Sequence, residues 1–253
     1  MTKSLVTKIA HEWGRVKKMN NDEARADERG SDPRRSLLYG RQKARPLSQR
    51  QKLLLNELLP KLELDLSKAP EAQFAKPTGP RWIEIGFGGG EHLAWQAGQN
   101  PEISFIGCEP FINGVGKALI LIDDDNLKNI KLHANDARDV LDWLEPGSID
   151  RAFVLYPDPW PKKRHHKRRF LGVENFNRLA RVLKPGAELR IATDIADYAR
   201  HILAAYQACG EFTWTAKRPD DWRVPPEDWP TTRYEQKAIR EGRKCNYFIF
   251  ERN

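Results

Sequence analysis

The chain has 253 residues, 40% hydrophobic and 31% charged, with 43 Lys+Arg against 35 Asp+Glu for a formal net charge of +8. That length supports one large α/β domain or two small domains, with a substantial core, and the charged fraction exceeds the roughly 25% usual in soluble domains. No run approaches the roughly 18 consecutive apolar residues of a membrane span. The opening residues carry no apolar signal-peptide core, so a cytoplasmic location is expected. Three well-separated cysteines, Cys108, Cys209 and Cys245, exclude a disulfide framework and a CxxC-type zinc site.

The first 52 residues hold 14 Lys/Arg against 6 Asp/Glu, which is the whole of the net charge, while the remaining positions balance. Residues 1–46 show little periodicity, are interrupted by Gly14, Gly30, Pro33 and Gly40, and include DEARADERGSDPRR. Such a stretch cannot bury enough apolar area to offset its ordering entropy. It is expected to be a mobile basic arm, with a domain over 47–253. Ser48 and Gln51 form a capping-box pattern ahead of Leu53, Leu54, Leu55, Leu58 and Leu59, predicting an amphipathic helix closed by Pro60.

After a Pro-rich connector, the strand-type run RWIEI breaks into glycines and a helix-compatible stretch follows. The alternation recurs in ISFIGCEPF, NIKLHAND, IDRAFVLYPDPW and ELRIATD, each but IDRAFVLYPDPW followed directly by a helical pattern. Five near-continuous apolar strands with helical crossovers predict an α/β fold: a doubly wound, mostly parallel sheet with ligands beyond its C-terminal ends. FTWTAKR and NYFIFER lack a strong intervening helix and are expected to form a C-terminal antiparallel pair.

Gly86, Gly88, Gly89 and Gly90 follow the first strand directly, where glycine permits positive φ and lets a ligand lie against bare backbone. A nucleotide cradle and tight helix–strand packing both satisfy this pattern. The dinucleotide fingerprint is incomplete, because its third glycine falls on Glu91, whose charge opposes a pyrophosphate at the helix N-terminus. A cofactor with a cationic or zwitterionic end suits the turn better, and Glu84 is placed to attract an ammonium group. Glu109, 23 residues beyond Gly86, stands where a carboxylate accepts from both ribose hydroxyls, which fits NAD and S-adenosylmethionine alike. Asp136 can accept from an adenine amino group while Asn135 shapes the pocket; each carboxylate taken singly also suits a helix N-cap.

Tyr156, Pro157, Asp158, Pro159 and Trp160 follow the fourth strand, and two prolines around one carboxylate hold its backbone. Next comes PKKRHHKRR, whose Lys162, Lys163, Arg164, Lys167, Arg168 and Arg169 form a cationic loop at the sheet rim, suited to phosphates of a nucleic acid. His165 and His166 lack acidic or cysteine partners in sequence, so no metal site is expected.

The segments EIGFGGG, GCEPF, NDA, YPDPWPKKRHHKRR, RIATDIADY and TTRYEQKAIREGR resemble those of the tRNA (guanine-N7)-methyltransferases, over roughly residues 41–252. The proline-flanked acidic motif with its basic run and a downstream TRYE is the specific part. The resemblance implies a class I, Rossmann-like methyltransferase that uses S-adenosylmethionine to form 7-methylguanosine in tRNA, at the variable-loop guanine conventionally numbered 46. It implies cofactor contacts at Glu84, Glu109, Asp136 and Asp158 and a catalytic role for Asp158. It also implies substrate contacts at Lys162, Asp194 and the segment Thr232, Arg233, Tyr234 and Glu235. Guanine N7 carries a free lone pair, so the expected task of Asp158, with Asp194 and Glu235 completing a clamp, is to orient the ring and offset its developing charge. Alternatives on the same residues are a nicotinamide-dependent oxidoreductase, a non-catalytic RNA-binding protein, and a methyltransferase acting on another base or an exocyclic amine. The partner expected is tRNA, without membrane or metal, on a monomer or homodimer.

Overall fold

The computed structural model describes residues 45–74 and 78–253. Apart from its last two positions, the expected N-terminal arm lies outside the described residues.

Ser48 caps helix α1 (Gln49–Glu57): its hydroxyl accepts from the Gln51 amide while the Gln51 side chain accepts from the Ser48 amide. Pro60 does not close the helical run. It sits in the first turn of a second short helix, α2 (Leu59–Leu62), where its missing N–H has no partner to lose. The alternation then runs β1 (Arg81–Ile85), α3 (Glu91–Gln99), β2 (Ser104–Cys108), α4 (Ile112–Asp124), β3 (Ile130–His133), α5 (Ala137–Trp143), β4 (Ile149–Leu155), α6 (Val173–Val182), β5 (Leu183–Thr193) and α7 (Ala196–Cys209). The chain ends with β6 (Phe212–Trp214), α8 (Asp220–Arg223), α9 (Arg233–Arg240) and β7 (Asn246–Arg252).

The sheet order is β3-β2-β1-β4-β5-β7-β6. The first five strands are parallel, and β7 runs antiparallel to both β5 and β6. The fold is the expected α/β class, with the C-terminal antiparallel pair in place and two short helices, α8 and α9, inserted between its members. The chain winds outward from β1 to β3 and returns to β4 beside β1. This reversal opens a crevice at the C-terminal ends of β1 and β4, the place where such sheets bind ligands.

Alternate strand residues face two separate cores. Ile83, Ile85, Val154 and Ile191 pack with Leu141, Phe176 and Ile202, while Trp82, Phe153 and Leu155 pack with Leu93, Val115 and Leu119 on the other face. Glu84 shares its face with Trp82, so its side chain lies on the side of α3. Among the described residues no helix is long and apolar enough to cross a membrane. All three cysteines are unbridged, with Cys108 buried.

Candidate active site

The turn after β1 needs its glycines. Gly88 has φ +59°, and a Cβ there would stand 3.2 Å from the Tyr234 ring; at Gly90, with φ +81°, a Cβ would stand 2.5 Å from that of Ala118 on α4. Glu109 braces the same turn from the end of β2, accepting from the Gly88 amide through Oε2 and the Phe111 amide through Oε1, both at 2.8 Å. It is buried, and burial pushes its carboxyl up to about 7, with a further push from the Asp158 charge, against the two backbone N–H donors and Arg233.

Because that value lies above the ordinary 4.5, the Glu109 contribution to stability is complete below pH 4.5 and lost as pH rises through about 7. Glu109→Gln, which cannot ionise, is expected to gain about 3 kcal/mol on the wild type between pH 4.5 and 8. Denaturant titrations at the two pH values check this, and parallel curves for the two proteins refute it.

A narrow cavity opens over the turn, lined by residues that include Glu84, Gly86, His92, Tyr156, Thr232 and Tyr234. Glu84 and His92 are both buried, with Glu84 Oε2 2.7 Å from His92 Nδ1. Sequence reasoning missed His92, because a pairing across a turn and a helix start has no local signature. Asn135 is exposed, and Asp136 caps α5 by accepting from the Arg138 amide at 3.0 Å. Burial raises the Asp136 pKa. Both lie at the C-terminal end of β3, on the same rim, and neither lines the cavity.

The C-terminal motif closes over the turn. Thr232 and Glu235 form a second capping box at the start of α9, Arg233 pairs with Glu91 at 3.2 Å, and Tyr234 lies against Gly88. Arg233 thus offsets the Glu91 charge that had argued against a diphosphate, and the argument now rests on Glu84 and Glu109. Two of the three carboxylates expected to clamp the guanine have partners within the protein. Glu235 is 3% exposed and faces inward, accepting from the Thr232 amide and the Tyr247 hydroxyl. Asp194 is held by Arg243 Nε at 2.6 Å.

Asp158 is exposed, on a loop that leaves β4 beside the glycine turn, and its charge acts on Glu109. Tyr156 and Trp160 on either side of Pro157-Asp158-Pro159 both adopt the left-handed region, at φ +49° and +43°. Strain of this kind, about 1–3 kcal/mol per residue, persists only where the surroundings impose it. The Tyr156 amide donates to Ala192 O at 2.8 Å, Arg169 Nε donates to Pro159 O at 2.8 Å, and the Arg168 guanidinium lies 5.1 Å from the Trp160 ring.

Lys162, Lys163, Arg164 and Lys167 are exposed on this rim, and Arg168 is half-buried against Trp160. Arg169 departs from its expected contact with phosphate. It is buried and bonds Pro159 O, Asp197 and His166 Nε2, with its guanidinium 5.0 Å from the Tyr198 ring. As the residue closing the short 3₁₀ turn Lys163–Arg168, it turns inward and ties the loop to α7. Arg169→Met is therefore expected to lower Tm by about 5 °C or more, whereas Lys163→Met changes it by about 1 °C or less. Equal Tm values in differential scanning calorimetry would remove the structural role.

These residues fit S-adenosylmethionine: a carboxylate for an ammonium group at Glu84, open backbone at Gly86, a carboxylate at the ribose position in Glu109 and another along the rim in Asp136. Among the described residues no group of His, Cys, Asp and Glu has metal-holding geometry.

Residues 78–247 match the family model described as "Putative methyltransferase". A tRNA (guanine-N(7)-)-methyltransferase of Roseobacter denitrificans is 50% identical over 222 residues, 85% of this chain and 95% of that protein. One from Agrobacterium fabrum is 48% identical over 218 residues, 85% of this chain and 94% of that protein. The solved structure of the 16S rRNA methyltransferase KamB superposes with a TM-score of 0.52 at 16% identity, covering 69% of this chain and 88% of that one, a likeness of fold. With a glycine turn, strand-end carboxylates and a proline-held acid assembled on one rim, and with relatives this similar over most of its length, the chain belongs to the tRNA (guanine-N7)-methyltransferase family of S-adenosylmethionine-dependent enzymes.

Proposed function

We propose that this protein methylates N7 of the variable-loop guanine of tRNA, the nucleotide conventionally numbered 46, with Asp158 as the catalytic residue. Methyl transfer from S-adenosylmethionine to guanine N7 in tRNA is the activity of its family; the target nucleotide and the residue roles are our reading. When bound, S-adenosylmethionine supplies an electrophilic methyl group on a sulfonium. The glycine turn and Glu109 hold its ribose, Glu84 receives its ammonium group and Asp136 its adenine.

The attacking nitrogen has a free lone pair, so no residue need act as a general base. What the protein must supply is alignment and a negative charge near the purine as it becomes cationic. The observation that carries this reading is Asp158, exposed between two prolines and two left-handed residues, next to both the cavity and the cationic loop. Its carboxylate accepts from the guanine N1–H and amino group, and Tyr156, Trp160 or Tyr234 stacks on the exposed base. Lys162 reaches the nucleotide while Lys163, Arg164, Lys167 and Arg168 take backbone phosphates. Thr232, Arg233 and Tyr234 close the cofactor side, with Glu235 and Asp194 holding the walls rather than the base.

Mass spectrometry of nucleosides from treated tRNA tests the whole. One 7-methylguanosine per tRNA, lost when the variable-loop guanine is replaced by adenine, is the expected result. Modification elsewhere overturns the target, and tRNA binding without any product favours a non-catalytic RNA-binding protein.

A further inference from the structure

Behind the glycine turn, three polar side chains are buried in series between β1 and α3: Glu84 is 3% exposed, His92 2% and Gln96 1%. They form one hydrogen-bonded series. Gln96 Nε2 donates to the Asp228 carbonyl at 2.9 Å, and Gln96 Oε1 accepts from Asn100 Nδ2 at 3.4 Å. The amide nitrogen, not the oxygen, therefore stands 3.4 Å from His92 Nε2. A ring nitrogen facing an NH₂ donor offers its bare lone pair. This arrangement suits an Nδ1–H tautomer of His92, whose N–H would donate to Glu84 Oε2, 2.7 Å away.

The Phe153 and Trp229 rings, centred 4.7 and 5.5 Å from that of His92, pack against the imidazole. A neutral donor holds a carboxylate in place without cancelling its charge, which a Lys, an Arg or an imidazolium in the same position would do. Both members line the cavity beside Gly86 and Thr232.

The geometry points to His92 as a positioning residue for the methyl donor: kept neutral by Gln96, it aims Glu84 into the cavity with its charge intact for the cofactor's ammonium group. This rests on the placement of the ammonium at Glu84 proposed above. The test is calorimetric titration with S-adenosylhomocysteine and with 5′-methylthioadenosine, which share the adenosine and thioether but differ in the amino-acid end. Glu84→Gln examines the placement itself, and if it leaves the preference for S-adenosylhomocysteine intact, both readings fall.

With that preference dependent on Glu84, the role of His92 is decided by three variants. His92→Phe deletes the donor, and Gln96→Glu replaces the amide donor with an acceptor that draws a second proton onto the ring. Each is expected to weaken S-adenosylhomocysteine by about tenfold or more while 5′-methylthioadenosine changes by about twofold or less. His92→Asn, whose amide can stand where Nδ1 stood, is expected to restore the preference. Equal losses for both ligands mean a merely structural role and overturn the inference, as does an unchanged preference. Should the variants not fold, ¹⁵N chemical shifts of the wild-type His92 ring decide: a neutral Nδ1–H tautomer supports the inference, and an imidazolium or an Nε2–H tautomer overturns it.

Discussion

Asp158→Ala is expected to reduce kcat for tRNA methylation by about 10²–10³, the usual loss when one preorganised group aimed at developing transition-state charge is removed. Affinity for S-adenosylhomocysteine is expected to change by about threefold or less. The asymmetry follows from the proposed role: a carboxylate facing the purine counts most as the ring becomes cationic, when the methyl group arrives. Asp158→Asn keeps the shape and one acceptor but loses the charge, and so falls between the alanine variant and the wild type. The backbone supports this reading independently. Two left-handed non-glycine residues, Tyr156 and Trp160, bracket a residue already held by prolines, and such strain is retained where a side chain must be presented in one direction. Initial rates with labelled methyl donor at saturating tRNA, beside calorimetry of the cofactor product, make the measurement. A kcat within about threefold of wild type would remove Asp158 from the chemistry.

The second large effect concerns affinity. Replacing Lys162, Lys163, Arg164 and Lys167 together by alanine is expected to make the slope of log K for tRNA against log salt shallower by about 3 units. Each lost phosphate contact removes roughly 0.7 to 0.9 of a released counterion. These four side chains are exposed on the rim that carries Asp158, so the same variant keeps its cofactor affinity. Arg169→Met supplies the contrast, because its guanidinium is buried against Asp197, His166 and Pro159 O and has no phosphate to lose. It should change Tm and leave the salt slope alone. Filter binding over a range of salt concentrations reads the slope, and an unchanged slope in the fourfold variant would place the tRNA on another surface.

Much of the site is legible in sequence because its signals are local. A run of glycines after a strand, a carboxylate at the next strand end and an acid between two prolines each constrain their own backbone. The structure puts them where the strands end, around the β1–β4 crevice. Both capping boxes, Ser48 with Gln51 and Thr232 with Glu235, are spaced as their hydrogen bonds require. What local signals do not convey is the partner of a charged side chain. Glu91 looked like a bare repulsive charge and is paired with Arg233, 142 positions away in a chain of 253 residues. Asp194 and Glu235 read as base contacts and are engaged by Arg243 and Tyr247. Arg169 reads as one more cation in a basic run and is buried, since only the packing of that turn on α7 distinguishes the inward residue from its neighbours.

From its sequence alone this protein was determined to be an alternating α/β chain with a glycine-lined ligand turn, a rigid acidic loop and a basic rim, because hydrophobic period, glycine and proline act on the backbone within a few residues. Tertiary structure alone decided the distant partners of the carboxylates: Arg233 for Glu91, Arg243 for Asp194 and Tyr247 for Glu235. The hydrogen-bonded series Glu84–His92–Gln96 belongs to the same class. It depends on Gln96 being turned by the Asp228 carbonyl, a contact between positions far apart in the chain, and hydrogen-bond partners of buried groups are chosen by packing rather than by sequence neighbourhood.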